Sequence, residues 1–202
     1  MVTVDFPPLA HLSRYKLVLA SASPRRRQLL EMLGLSFEVR PISGVDESYP
    51  ADLPAMDVAG YIARKKCDEG RRFSQADELL VCADTVVIID GMILGKPRTA
   101  DDARHMLSML SGRSHQVVTG LAVGDGAKVI CDSVVTTVHF ARLTHDEIDY
   151  YIDRYSPFDK AGSYGIQEWI GAVGVQGIDG SYYNVMGLPV HRLYRMLLNW
   201  KE

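Results

Sequence analysis

Arginines, lysines, carboxylates and hydroxyls stand in this chain at places where plain packing would not put them. Near the front the apolar run Lys16-Leu17-Val18-Leu19-Ala20 ends in Ser21-Ala22-Ser23-Pro24-Arg25-Arg26-Arg27. That order predicts a strand, a tight turn and a helix opened by Pro24, whose fixed φ and missing N–H suit a first helical turn. The turn would then present backbone N–H groups, the hydroxyls of Ser21 and Ser23, and guanidinium groups at one helix N-terminus. Such a setting attracts phosphate oxygens. Cations there oppose the helix macrodipole, so a purely structural reason for three arginines is weak. Farther on, Asp84 breaks an apolar stretch, with Leu79-Leu80-Val81 before it and Val86-Val87-Ile88-Ile89 after it. A carboxylate inside such a strand is costly unless it is paired or coordinates a metal. Asp46 and Glu47 add two acids in a polar loop between Gly44 and Pro50.

Two lysine positions complete the set. Lys65 and Lys66 are neighbours on a predicted helix and point about 100° apart, so one can face a site while the other is left to solvent. Lys96 lies between Gly95 and Pro97, where glycine permits close approach and proline stiffens the exit. None of the six histidines shows paired metal spacing, and each reads as a surface or core-edge residue. Without a histidine base, the chemistry that suits this list is cleavage of a phosphate ester or anhydride aided by Mg²⁺ or Mn²⁺. The carboxylates would hold the cation, and the lysines and arginines would neutralise developing charge.

The elements that must carry these residues alternate between strand and helix. A short strand spans about 35–40, and the polar loop 41–50 follows it. A helix runs from Met56 to near Arg72, then one long strand from Leu79 through Asp84 to Ile89. Asp90-Gly91 is a hairpin signal returning through Met92 and Leu94. Thr99 caps a helix to about Leu110. His115–Val123 and Lys128–Ala141 form a hairpin around Gly124-Asp125-Gly126, and Thr144 with Glu147 fits a capping box. The glycine-rich segment from Asp159 to Gln167 lacks the residues of a phosphate loop. A strand near Ala172–Ile178 and a last helix after Gly187-Leu188-Pro189 close the chain. The fold class is α/β, one domain over 15–202 in two lobes, preceded by a loose N-terminal extension over 1–14.

Composition narrows the partners. The chain has 202 residues, 47% hydrophobic, with a formal charge of −3, so no basic field draws in nucleic acid or a membrane surface. No apolar run approaches the roughly 20 residues of a membrane span. The short run before Ala20-Ser21-Ala22 falls below the roughly 7–15 residues of a signal peptide core. Three cysteines without ligand spacing read as reduced, buried thiols in a cytoplasmic setting.

Six segments, in order, resemble one family: Ser21-Ala22-Ser23-Pro24-Arg25-Arg26, Val45-Asp46-Glu47, Ala63-Arg64-Lys65-Lys66, Ala83-Asp84-Thr85-Val86, Gly95-Lys96-Pro97 and Asp159 through Gln167. They resemble the Maf nucleotide pyrophosphatases, over about Lys16 to Leu198. The resemblance implies an elongated, two-lobed mixed sheet with flanking helices and a central cleft, similar to the inosine triphosphate pyrophosphatases. It implies hydrolysis of a nucleoside triphosphate to monophosphate and pyrophosphate. Glu47 and Asp84 would then hold the divalent metal or activate water. Ser21, Arg25, Lys66 and Lys96 would grip the triphosphate, with Arg26 as a further contact. Arg25, Thr85 and Gln167 match the subgroup that prefers dTTP and UTP, and Thr85 and Gln167 would bond a pyrimidine edge. The same reaction on modified or methylated purine nucleotides, or a non-enzymatic role in cell division, are the alternatives. The resemblance also points to a homodimer. Arg27 has no place in the pattern and reads as surface charge.

Overall fold

The pairing that organises the fold is a parallel one between the first strand and the long strand that carries Asp84. A computed structural model describes residues 7–201. The elements are a 3-10 turn η1 (Pro7–Leu12), β1 (Lys16–Leu19), α1 (Pro24–Glu31), β2 (Phe37–Val39), α2 (Ala55–Arg71), β3 (Glu78–Ile89), β4 (Met92–Leu94), α3 (Ala100–Leu110), β5 (Ser114–Gly124) and β6 (Val129–Phe140). They continue with α4 (His145–Tyr155), a 3-10 turn η2 (Ala161–Ser163), α5 (Trp169–Gly174), β7 (Val175–Asp179), α6 (Tyr182–Met186) and α7 (Val190–Leu198). One seven-stranded sheet runs β2-β1-β3-β5-β6-β7, with β4 pairing β3. It is mixed: β1 runs parallel to β2 and β3, whereas β4 is antiparallel to β3 and β7 to β6. No helix among the described residues is long and apolar enough to cross a membrane.

Two units divide the chain, with 7–84, 119–134 and 187–201 in the first and 85–118 and 135–186 in the second. In the first, α2 buries Val58, Ala59, Ile62, Ala63 and Cys67, the three-and-four spacing of an apolar helix face. Ala63 and Cys67 of that face pack with Val18, Leu80, Cys82 and Ala122 of the strands. Full burial of each Val or Ile contributes about 1.5–3 kcal/mol. Gly120 permits the contact, since a Cβ there would lie 2.3 Å from the backbone of Ala59. The second unit has a larger core, in which Leu107, Leu110, Val138, Phe140, Tyr151, Tyr164 and Ile170 are buried.

Three expectations need correction. The stretch 1–14 is not loose in its described part: Leu9 and Leu12 are buried on the first unit, and His11 Nε2 lies 3.0 Å from the Leu197 carbonyl. Residues 1–6 lie outside the described residues. The strand expected near 172–178 is present as β7 but starts three residues later, because 169–174 form α5. Gly171 lets that helix curl against the loop before it, because a Cβ there would meet the Ile166 carbonyl oxygen at 1.8 Å. Of the three cysteines, Cys67 and Cys82 are buried thiols as expected, but Cys131 is exposed.

Candidate active site

The first unit gathers the phosphate-binding candidates with the acids. The Ser21–Ser23 turn links β1 to α1, and Ser23 caps α1 by accepting the Arg26 N–H, with Pro24 at the first helical position. The Ser21 hydroxyl is buried and accepts the Ser23 N–H at 3.2 Å. Arg25 lies half-buried on the first turn, whereas Arg27 is exposed and pairs with Glu31 at 2.9 Å, surface charge as expected.

Arg26 does something the sequence did not announce. Its Nε donates to the Gly187 carbonyl at 2.9 Å, and its Nη1 donates to the Ala83 carbonyl at 2.8 Å and the Ser21 hydroxyl at 3.3 Å. Burial pulls this guanidinium below its usual pKa, and the nearby Asp84 carboxylate opposes the shift. One side chain therefore ties the phosphate turn to the residue preceding Asp84. Ala83 and Gly187 enter the site through carbonyl groups, which no residue-type pattern could reveal.

Asp84 lies near the middle of β3, where only it and Thr85 escape full burial in a twelve-residue strand. Its Oδ1 is 2.7 Å from Lys66 Nζ, and the same ammonium is 2.8 Å from Glu47 Oε1. Lys66 and Asp84 side chains are 15% and 14% exposed and Glu47 is 57% exposed, so solvent screens the second contact more than the first. Two carboxylates thus converge on one cation. Lys65 is not left to solvent: its Nζ reaches the Ser48 carbonyl at 2.9 Å and Asp46 Oδ2 at 3.3 Å. Asp46 accepts the N–H and hydroxyl of Ser48, which, with Lys65, hold its carboxyl down at about 2. The adjacent lysines therefore grip the loop of Glu47 at two points.

The second unit holds the remaining candidates. Thr85 is half-buried and follows Asp84 on β3, so regular strand alternation turns the two side chains to opposite faces. Lys96 is exposed, and the Gly95 carbonyl before it accepts the Gly162 N–H at 3.0 Å, tying that turn to the glycine-rich loop. Gly162 needs its positive φ of 66°, and a Cβ there would press on Val87 at 3.0 Å. Gln167 is exposed at the loop's end and lines a cavity of about 410 Å³ with Glu168, Gln176 and Tyr182. His115 lies deeper than the surface or core-edge position expected of the histidines: it is buried against Phe140 and Tyr164, its Nε2 2.7 Å from the Tyr164 hydroxyl.

No cluster of three or more His, Cys, Asp or Glu side chains suited to a metal occurs among the described residues. The pair Glu47 and Asp84 nevertheless fits a hard cation. Mg²⁺ is commonly held by one or two carboxylates, with substrate phosphates and water as the other ligands. A positive charge is already accommodated between these two acids, where the Lys66 ammonium sits.

The family model described as Maf-like protein matches residues 16–200. The chain belongs to the Maf family. This Maf chain is 53% identical over 189 residues to a protein of Phocaeicola vulgatus named dTTP/UTP pyrophosphatase, covering 94% of this chain and 98% of that one. A dTTP/UTP pyrophosphatase of Porphyromonas gingivalis is 50% identical over 196 residues, covering 96% and 98%. A solved structure titled as a HAM1 protein from Coxiella burnetii aligns with TM-score 0.49 at 17% identity, covering 91% of this chain and 98% of that one.

Proposed function

We propose that this chain hydrolyses dTTP and UTP to the nucleoside monophosphate and pyrophosphate. The observation that carries the reading is the Lys66 ammonium held between Glu47 and Asp84, one residue from the carbonyl where Arg26 anchors the phosphate turn. The names of the relatives at about 50% identity supply the substrate class.

In this reading the Ser21 hydroxyl and Arg25 hold phosphate oxygens at the N-terminus of α1, where backbone N–H groups add their partial positive charge. Arg26 braces that turn and adds positive charge to it. Lys66, and Lys96 by motif, neutralise the charge that builds on the leaving pyrophosphate. Glu47 and Asp84 would hold Mg²⁺ or Mn²⁺, which when bound polarises phosphoryl oxygens and lowers the pKa of water. A water oxygen attacks the α-phosphorus, the bond from it to the α–β bridging oxygen breaks, and the proton of the water passes to a carboxylate of the acidic pair. Gln167 presents amide donor and acceptor groups to the pyrimidine edge, while the part of Thr85 in base recognition rests on the motif alone. A site built on such bonds rejects bases that leave them unpaired.

The test is pyrophosphate release from a panel of canonical and modified nucleoside triphosphates, with and without Mg²⁺ or Mn²⁺. We expect dTTP and UTP to be cleaved and a chelator to stop the reaction. A purine preference would keep the reaction and discard the assigned base contacts. Silence across the panel would discard the reading.

A further inference from the structure

An ion-pair network centred on the buried Lys160 includes Glu168, the residue after Gln167, and takes no part in the reaction drawn above. Lys160 is 8% exposed, and an ammonium that far from water is costly unless fully paired. Its Nζ lies 2.7 Å from Asp159 Oδ1 and 3.1 Å from Glu168 Oε1. The other oxygen of Glu168 accepts the hydroxyl of Tyr151, a fully buried residue of α4. The same Tyr151 oxygen accepts the Gly165 N–H at 3.0 Å, and the Glu168 N–H returns to the Gly165 carbonyl at 3.0 Å. Both oxygens of Glu168 and both hydrogen-bonding roles of the Tyr151 hydroxyl are used, which rigidifies the loop.

The consequence falls on Gln167, which sits between the two clamped residues. The side chain amide of Gln167 packs over Gly165: a Cβ on that glycine would lie 2.8 Å from Gln167 Nε2 and 3.1 Å from Glu168 Oε2. The loop backbone on both sides of Gln167 is thus fixed by Tyr151 and Glu168, and Gln167 lines the cavity of about 410 Å³, within the size range of small-molecule sites.

We propose that Tyr151, Lys160 and Glu168 are positioning residues that hold Gln167 in register with the pyrimidine edge, and so set base discrimination without touching substrate. This rests on the reading that Gln167 meets the base. Hydrogen-bond specificity depends on donors and acceptors being fixed before binding, and a residue left to wander loses it while the reacting centre is unaffected.

The experiment compares Tyr151→Phe, Glu168→Gln and Gln167→Ala, and the Tyr151→Phe/Gln167→Ala double variant, by steady-state kinetics on dTTP, UTP and a poorly used purine triphosphate. Tyr151→Phe keeps the ring and removes the shared hydroxyl; Glu168→Gln keeps the shape and removes the charge. Each single variant should raise KM for dTTP and UTP about tenfold at nearly unchanged kcat, a change of about one buried hydrogen bond. The purine triphosphate should be affected little. In the Gln167→Ala background, Tyr151→Phe should have no further effect, because the residue it positions is gone. Full additivity, or an equal loss on all substrates, would overturn the inference. Hydrogen exchange of unliganded protein gives a second readout free of activity: Tyr151→Phe should speed exchange at Gly165 and its neighbours over 159–168, and unchanged exchange there would also overturn it. If Gln167→Ala leaves the substrate ranking intact while exchange responds as expected, it is the base-contact reading that fails, not the clamp.

Discussion

Acid should remove stability from the second unit through a single imidazole. His115 is 2% exposed, its Nδ1 has no hydrogen-bond partner, and its Nε2 meets the Tyr164 hydroxyl. Burial, with a smaller contribution from His139, pushes its pKa down from 6.5 to about 4. Above about pH 6.5 the imidazole is neutral in the folded and unfolded chain alike and contributes nothing to the pH dependence. Below that, the unfolded chain takes up a proton that the folded one refuses, so stability falls as the pH falls toward about 4 and then levels off. The full shift corresponds to about 3 kcal/mol, of which about 2.5 kcal/mol is lost by pH 4.5. For a chain of this length that equals a fall in Tm of roughly 5–10 °C. The control is His115→Gln, whose amide can still meet the Tyr164 hydroxyl and does not titrate. Urea unfolding of both proteins between pH 7.5 and 4.5 isolates the effect, because carboxylates common to both cancel in the difference. The stability curves should diverge below pH 6.5 in favour of the variant. Curves that stay parallel would mean the buried imidazole accepts a proton at no cost, and the burial argument would be wrong.

Four further substitutions test the site. Asp84→Asn and Glu47→Gln should each cut kcat by about 10²–10³ with Tm shifted by only a few degrees, the larger loss at the better-buried Asp84; full turnover in either variant would refute the assigned roles. Arg26→Lys cannot span the Ala83 and Gly187 carbonyls together, so thermal unfolding should show a loss of about 2–3 kcal/mol. An unchanged Tm with weakened substrate affinity would make Arg26 a phosphate ligand rather than a brace. Gln167→Glu should reorder the preference among bases more than it changes the rate on the poorest substrates, and an unaltered ranking in the pyrophosphate assay would count against Gln167 as a base contact.

What could be read from the sequence divides by the range of the forces involved. The Thr99 cap, the Thr144 capping box, the Asp90-Gly91 turn and the Pro24 helix start are decided within four residues, and all stand in the structure. The acids and lysines were legible for a related reason: a charge in an apolar strand or a rigid turn contradicts its own surroundings, and that contradiction is visible in a single chain. Long-range satisfaction was not legible. Arg26 bonds partners 57 and 161 residues away, both through carbonyl oxygens that every residue carries. For the same reason α5 was misread: its residues 169–174 include Ile170 and Val173 with two glycines, a poor helix by propensity, yet tertiary packing overrides it. His115 was passed over because imidazole is tolerated on surfaces and in cores alike, and only the rings of Phe140 and Tyr164 decide between them. A sequence therefore announces the groups that do chemistry more readily than the groups that aim them, because reactivity lies in side-chain type whereas aim lies in contacts made only after folding.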